Sequence, residues 1–128
     1  MKSSSPKGGT LTLSRSWVLA CVLALTALVY LPSLHNGFVN WDDDAHLYAN
    51  TSVRGLDSDH LSEIFTERVN KTYIPLTTFS FAVEYHFFGL NAFVYHLNNL
   101  LLHLAIVALV FVFAEQLGHH ITPVAASL

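Results

Sequence analysis

Two long stretches without a charged side chain constrain this sequence more than any other feature. No Asp, Glu, Lys or Arg occurs in residues 17–34 or in residues 93–114. As a helix, each stretch is long enough to cross roughly 30 Å of hydrocarbon. A soluble domain of 128 residues rarely combines 52% hydrophobic residues with only 12% charged residues. The sequence therefore predicts a membrane protein with transmembrane helices over residues 16–34 and 93–117.

The distribution of basic residues predicts how these helices are oriented. Lys2, Lys7 and Arg15 precede the first helix, and no acidic residue occurs before residue 42. The positive-inside tendency then places residues 1–15 and 118–128 in the cytoplasm and the loop 35–92 in the periplasm or lumen. The expected location is the bacterial inner membrane or the endoplasmic reticulum membrane. A cleaved signal peptide is the alternative, but residues 31–35 lack an A-x-A cleavage pattern, so an uncleaved anchor is favoured.

Helical patterns recur within the loop 35–92. Residues 45–49 suit a short helix, and Leu61, Ile64 and Phe65 have the spacing of an amphipathic helix on the membrane surface. A third helix is predicted from Pro75 to Phe88, because proline suits the first turn of a helix. Gly89 would end this helix, and Asn91 would cap the second transmembrane helix. The predicted fold class is thus an all-α membrane protein, with two transmembrane helices joined by an external loop that carries short interfacial helices.

The charge of the loop excludes one class of partner. Eight acidic residues lie between the two apolar stretches, against only three basic ones, and such a loop would repel nucleic acid. The acidic residues are Asp42, Asp43, Asp44, Asp57, Asp59, Glu63, Glu67 and Glu84.

The three consecutive carboxylates Asp42, Asp43 and Asp44 are the first candidate site. A carboxylate beside lipid can serve as a general base, because it accepts a proton from an attacking hydroxyl. The structural alternative is that these acids charge the N-terminus of a helix, where Asp is favoured. A third alternative is a divalent cation, since Asp42 or Asp43 would share a helical face with His46.

A polar stripe in the second transmembrane helix is the second candidate site. His96, Asn99 and His103 are spaced by three and four residues and therefore lie on one face of a helix. Such groups are costly in lipid, so they should face protein or water. Either they line a cavity that contacts a ligand, or they form hydrogen bonds to further helices. Both readings imply more than two membrane helices.

Several short motifs, taken in order from residue 38 to residue 103, resemble a known family. They resemble the N-terminal part of GT-C type polytopic membrane glycosyltransferases, in particular the O-mannosyltransferase-like proteins that carry tetratricopeptide repeats. The motifs are Phe38-Val39-Asn40-Trp41-Asp42-Asp43, Asn50, Val53, Gly55-Leu56, Ile64-Phe65-Thr66, Tyr73-Ile74-Pro75-Leu76-Thr77, Phe88-Gly89-Leu90-Asn91 and His96-Leu97-Asn98-Asn99-Leu100-Leu101-Leu102-His103.

The resemblance implies a protein-glycosylation enzyme with a partial GT-C core. Such an enzyme transfers a sugar, mannose among the candidates, from a polyprenyl-phosphate donor to a protein hydroxyl or another acceptor. The resemblance implies that either Asp42 or Asp43 is the general base, and it does not decide between them. Proteins of this family have many membrane helices followed by a repeat region, so this chain is expected to be an N-terminal fragment that is inactive alone. Its expected partners are lipid, the parent's other helices, the lipid-linked sugar and an acceptor protein.

Two other functions fit the residues. In the first, the loop is a non-catalytic docking or assembly module that uses the apolar faces around Phe65 and residues 79–88. In the second, the chain is a small metal-handling membrane protein. Catalysis requires one particular carboxylate, docking requires the apolar faces, and metal handling predicts that the purified chain retains metal.

Overall fold

The computed structural model describes residues 14–125, and the side chains of residues 14–118. The described chain is all-helical and contains no strand, only an isolated antiparallel bridge between Val69 and Thr72. The predicted basic tail lies almost wholly outside the described residues. Four α-helices are formed: α1 (Arg15–Tyr30), α2 (Ser58–Thr66), α3 (Pro75–Phe88) and α4 (Ala92–Ala125).

Helices α1 and α4 pack against each other as an antiparallel pair. At one end Arg15 Nε lies 2.5 Å from Glu115 Oε2. Near the other end the ring centres of Tyr30 and His103 are 4.9 Å apart. Both helices are long and apolar enough to cross a membrane, over Arg15–His35 and Ala92–Gly118. These segments begin and end close to the predicted ones, although α4 continues as a helix to Ala125.

The first apolar segment tightens before it ends. After Tyr30 the helix becomes a 3-10 helix over Leu31–His35, with Pro32 in its first turn. Proline lacks an N–H group and fits the first turn of a helix, where that group would have no partner. The hydroxyl of Ser33 donates to the carbonyl of Tyr30 over 2.7 Å, which satisfies one of the carbonyls that the end of α1 exposes.

The segment between α1 and α4 has a small hydrophobic core of its own. Val53, Ile64 and Ala82 are buried together, and Leu56, Leu61 and Phe81 pack against them. Val53 lies in a 3-10 helix over Thr51–Arg54 that contacts both α2 and α3. Helix α2 forms where predicted, and Asp57 caps it by accepting from the N–H groups of Asp59 and His60. The apolar face of α2 is used largely within the loop, since Ile64 is only 3% exposed.

Helix α3 and the start of α4 form a helical hairpin. The predicted bounds of α3, Pro75 and Phe88, are confirmed, and Gly89 ends the helix with φ +61°. The missing side chain of Gly89 makes this left-handed conformation inexpensive. Asn91 precedes α4, but its carbonyl, not its side chain, accepts from the N–H of Val94 over 2.9 Å. The Tyr95 hydroxyl donates to the carbonyl of Phe81, which joins the two helices.

Candidate functional site

The acidic cluster forms a tight turn beyond the end of α1. Residues Asp44–Tyr48 make one π-helical turn, close to the short helix predicted over residues 45–49. Asp43 is half-buried, and its Oδ2 accepts from the backbone N–H of Val39 over 2.8 Å. Asp42 is exposed, and its carboxylate has no hydrogen bond within the described part of the chain. The turn therefore holds Asp43 in a structural contact, whereas the carboxylates of Asp42 and Asp44 are exposed and have no hydrogen bond within the described residues.

Arg54 attaches the acidic turn to the core of the loop. Its guanidinium donates to the carbonyls of Leu47 and Tyr48, over 2.8 and 3.0 Å, and so satisfies the end of the π-helical turn. The same guanidinium lies 4.6 Å from the centre of the Tyr85 ring on α3, a cation–π distance. One side chain thereby sets the position of the acidic turn relative to α3.

Phe38 connects the acidic segment to α4. Its ring centre lies 5.7 Å from that of Tyr48, 5.3 Å from that of Tyr95 and 6.4 Å from that of His96. The contacts with Tyr48 and Tyr95 are edge-on, a geometry that favours one orientation of the rings. Phe38, four residues before Asp42, therefore packs against Tyr95 and His96 in the first turns of α4.

The polar stripe of α4 lines a pocket between α1 and α4. His96, Asn99 and His103 all contribute to this pocket, which has a volume of about 240 Å³. Tyr30, Ser33 and Leu100 complete its walls. The Nε2 atom of His96 is buried and has no hydrogen-bond partner within the described residues. The pocket thus combines imidazole, amide and hydroxyl groups with a mainly apolar wall, and its binding role stays a prediction.

The proposed carboxylate–imidazole metal ligands do not form a cluster. Among residues 14–118, no group of three or more His, Cys, Asp and Glu side chains is arranged to hold a metal ion. His46 is half-buried in the π-helical turn, and its Nδ1 has no hydrogen-bond partner among the described residues.

Glu84 is a candidate functional residue that the sequence patterns did not select. It lies on α3, where it is the one charged residue, and it is only 7% exposed. Its Oε1 accepts from the amide of Asn98 on α4, while its Oε2 is buried without a donor among the described residues. Burial raises the pKa of Glu84 to about 7, against the opposing effect of the Asn98 hydrogen bond. A lone carboxylate in an otherwise apolar helix was the available sequence signal.

The pKa of Glu84 predicts that the α3–α4 hairpin loses stability as the pH rises. The folded-state value, about 7, exceeds the ordinary value of 4.5, so between these pH values the folded hairpin binds more protons than the unfolded chain. The contribution of Glu84 to stability is therefore greatest below pH 4.5 and falls until the pH passes about 7. Hydrogen exchange of α3 and α4 peptides, corrected for intrinsic rates, should show this loss.

Glu84→Gln is the variant that isolates this effect. Because imidazoles also change charge in this window, the measured quantity is the difference between wild type and Glu84→Gln. The variant should flatten the pH dependence of α3 and α4 protection, while Glu67→Gln, at an exposed position, should leave it unchanged. An identical pH dependence in wild type and Glu84→Gln would contradict the prediction.

Phe38 links two chemically different regions at the start of α4. One is the acidic turn with the free carboxylate of Asp42, and the other is the pocket lined by His96, Asn99 and His103. Phe38 contacts both the turn and His96. Comparison with protein-family models, with curated proteins and with solved structures finds no match to the chain.

Proposed function

We propose that this chain forms the N-terminal membrane segment of a GT-C type glycosyltransferase. The parent enzyme moves a sugar, mannose being the first candidate, from a polyprenyl-phosphate donor to a protein hydroxyl or another acceptor. In this proposal α1 and α4 cross the bacterial inner membrane or the endoplasmic reticulum membrane. The loop 35–92 faces the periplasm or lumen with α2 and α3 at the interface, and further helices of the parent complete the groove for the donor.

The position of Asp42 is the observation that carries this proposal. Its carboxylate is exposed and has no partner in the described chain, whereas Asp43 beside it bonds the N–H of Val39. A base must be free to accept a proton and must be held near the reacting groups. The hydrogen bond between Val39 and Asp43 and the packing of Phe38 on α4 hold this segment in place. We therefore assign the general base to Asp42.

The proposed reaction is a single displacement at the sugar. The Asp42 carboxylate accepts the proton of the acceptor hydroxyl while that oxygen forms a bond to the anomeric carbon. The bond from the anomeric carbon to the phosphate oxygen breaks, and the polyprenyl phosphate leaves with the bonding electrons. The configuration at the sugar carbon is inverted. No cofactor takes part in this scheme, and a divalent cation bound to the leaving phosphate stays an open alternative.

The pocket on α4 is assigned to donor binding. Imidazole and amide N–H groups from His96, Asn99 and His103 can donate to phosphate or sugar oxygens. The unpartnered Nε2 of His96 supports this assignment, because a buried ring nitrogen without a partner costs stability unless a ligand satisfies it.

Sugar transfer by the full-length parent protein in sealed membranes tests the proposal. Labelled mannose on a polyprenyl phosphate is offered with a hydroxyl-bearing acceptor peptide, and the double variant Asp42→Asn, Asp43→Asn provides the background. Wild-type membranes should transfer label only when both substrates reach the side that carries the loop 35–92. Equal transfer by wild type and the double variant would remove the acidic turn from the reaction.

A docking function remains the second candidate, because the loop exposes several large apolar side chains. Leu76 is 74% exposed and Phe87 69% exposed, and Phe65 and Phe88 are also largely exposed. A docking module needs these surfaces and not a particular carboxylate. The docking function therefore predicts that the double variant Asp42→Asn, Asp43→Asn still assembles. The double variant Leu76→Ser, Phe87→Ser should lower the recovery of the intact complex from membranes.

A further inference from the structure

A second and larger pocket lies between α3 and α4, away from the acidic turn. Its volume is about 460 Å³, within the range of ligand sites in proteins, roughly 300–1,000 Å³. Its walls are mainly apolar and come from the facing sides of α3 and α4. The lining residues are Phe79, Ser80, Val83, Glu84, Phe88, Val94, Leu97, Asn98 and Leu101. We call this pocket the α3–α4 groove.

Glu84 and Asn98 form the polar part of this apolar groove. The residue Glu84 is more than nine-tenths buried, and the Asn98 amide satisfies only its Oε1. Less than 1 Å² of Oε2 is exposed, and it has no donor in the described chain. A buried carboxyl oxygen without a donor is costly, so the arrangement favours a ligand that brings a hydrogen-bond donor.

We propose that the α3–α4 groove binds an aminophospholipid, with an acyl chain between the two helices and the primary ammonium group hydrogen-bonded to Glu84. The apolar walls select an aliphatic chain, and the unpartnered carboxyl oxygen selects a cationic donor. An ammonium group satisfies the oxygen and also compensates the burial of a negative charge, which a neutral hydroxyl does not. A choline head group carries the same charge but has no N–H, so it cannot make this bond.

No charged or titratable group of the described chain pairs with the free carboxyl oxygen of Glu84, so a ligand can do so. Tyr95 interacts electrostatically with Glu84, and Arg54 and Tyr85 act on the same Tyr95. The guanidinium of Arg54 already bonds two backbone carbonyls and lies over the Tyr85 ring, and the Tyr95 hydroxyl donates to the carbonyl of Phe81. None of them forms an ion pair with Glu84 in the described chain.

The pH dependence of binding follows from the charge of Glu84. The ammonium group binds the carboxylate form, and burial holds the pKa of the free carboxyl near 7. Binding should therefore be tighter at about pH 8 than at about pH 5, because at the lower pH a proton must leave before the ammonium group can pair. The inference rests on the membrane placement proposed above and not on sugar transfer.

Competition between two lipids in nanodiscs tests the proposal. The chain is inserted into nanodiscs of phosphatidylethanolamine and phosphatidylcholine with identical acyl chains, and native mass spectrometry counts the lipids that stay bound. At pH 8 the wild type should retain phosphatidylethanolamine over phosphatidylcholine by about tenfold, the size expected for one hydrogen bond to a charged group. Glu84→Gln should abolish the preference, and Glu67→Gln should keep it.

A second variant guards against a folding defect in Glu84→Gln. Leu101→Trp fills the groove from an exposed position on α4 and leaves the carboxyl group in place. It should also lower retained phosphatidylethanolamine to the level of phosphatidylcholine, with unchanged helical circular dichroism. Equal retention of both lipids by the wild type, or an unchanged preference in Glu84→Gln, would overturn the proposal. Recovery of the chain in nanodiscs reports membrane insertion separately, and the mannose-transfer assay reports catalysis.

Discussion

Replacing Asp42 with Asn should lower sugar transfer by the full-length parent protein by about 10²–10⁴-fold, the usual contribution of a general base. Asn has nearly the same shape as Asp but cannot accept the proton of the acceptor hydroxyl. The side chain of Asp42 is exposed and has no partner in the described chain, so the substitution breaks no contact that holds the turn. The loss should therefore appear in kcat, with the KM for the donor little changed.

Asp43→Asn is the informative comparison, because it separates the base from the residue that positions it. The amide oxygen of Asn can still accept from the N–H of Val39, so the turn keeps its 2.8 Å contact in a weaker form. We expect a smaller loss of transfer than for Asp42→Asn. A further variant, Asp43→Ala, removes the contact and should raise the mobility of residues 39–43, measured by hydrogen exchange.

Asp59→Asn is the matched control for charge. Asp59 is an exposed carboxylate in the same loop and lies on α2, outside the acidic turn. The Asp59→Asn variant should transfer sugar at the wild-type rate, at equal expression and equal insertion into membranes. If Asp43→Asn abolishes transfer while Asp42→Asn retains it, the two roles are reversed. If all three variants match wild type, the acids only charge the turn, and the docking function takes precedence.

Local patterns were sufficient to predict the helices whose ends are set by their own residues. Helix α3 begins at Pro75 and ends before Gly89, because each residue acts on the backbone at its own position. Helix α2 forms around Leu61, Ile64 and Phe65, as their spacing predicts, and the structure adds Asp57 as its cap. The two long apolar helices were also predictable, since length and the absence of charge are local properties.

The contacts between elements were not predictable, because they depend on how the elements meet in space. The spacing of Leu61, Ile64 and Phe65 indicates an apolar face, but it does not tell whether lipid or protein covers that face. In the structure Ile64 packs on Val53 and Ala82. Similarly, no local pattern links Arg54 to carbonyls six and seven residues earlier, or to the Tyr85 ring.

The candidate sites also combine features that local spacing predicts with features that depend on contacts between helices. The spacing of His96, Asn99 and His103 places them on one face of α4, but the register against α1 decides that Tyr30 and Ser33 share their pocket. Glu84 was hidden by averaging, because one carboxylate hardly changes the hydrophobic character of α3. Its partner Asn98 is 14 residues away and became visible only when α3 and α4 folded against each other.

Ile64→Ala should destabilise the loop between α1 and α4 by about 2–5 kcal/mol, the cost typical of truncating a buried Ile or Leu. Ile64 is 3% exposed and packs against Val53 and Ala82, so the change leaves a cavity in the core of the loop. That core joins the 3-10 helix over Thr51–Arg54 to α2 and α3, and Arg54 at its end holds the acidic turn. Loss of the core should therefore loosen the turn as well.

Leu76→Ala is the matched control for this prediction, because it removes the same three carbon atoms from a position on α3 that is 74% exposed. Hydrogen exchange of peptides from α2, α3 and residues 41–49 should be at least about thirtyfold faster in Ile64→Ala and close to wild type in Leu76→Ala, by the usual conversion of free energy to an equilibrium ratio. Trypsin should also cleave after Arg54 sooner in Ile64→Ala. Equal protection in the two variants would mean that the loop is held by its attachment to α4 and not by its own core, because a core that contributed stability must lose it when Ile64 is truncated.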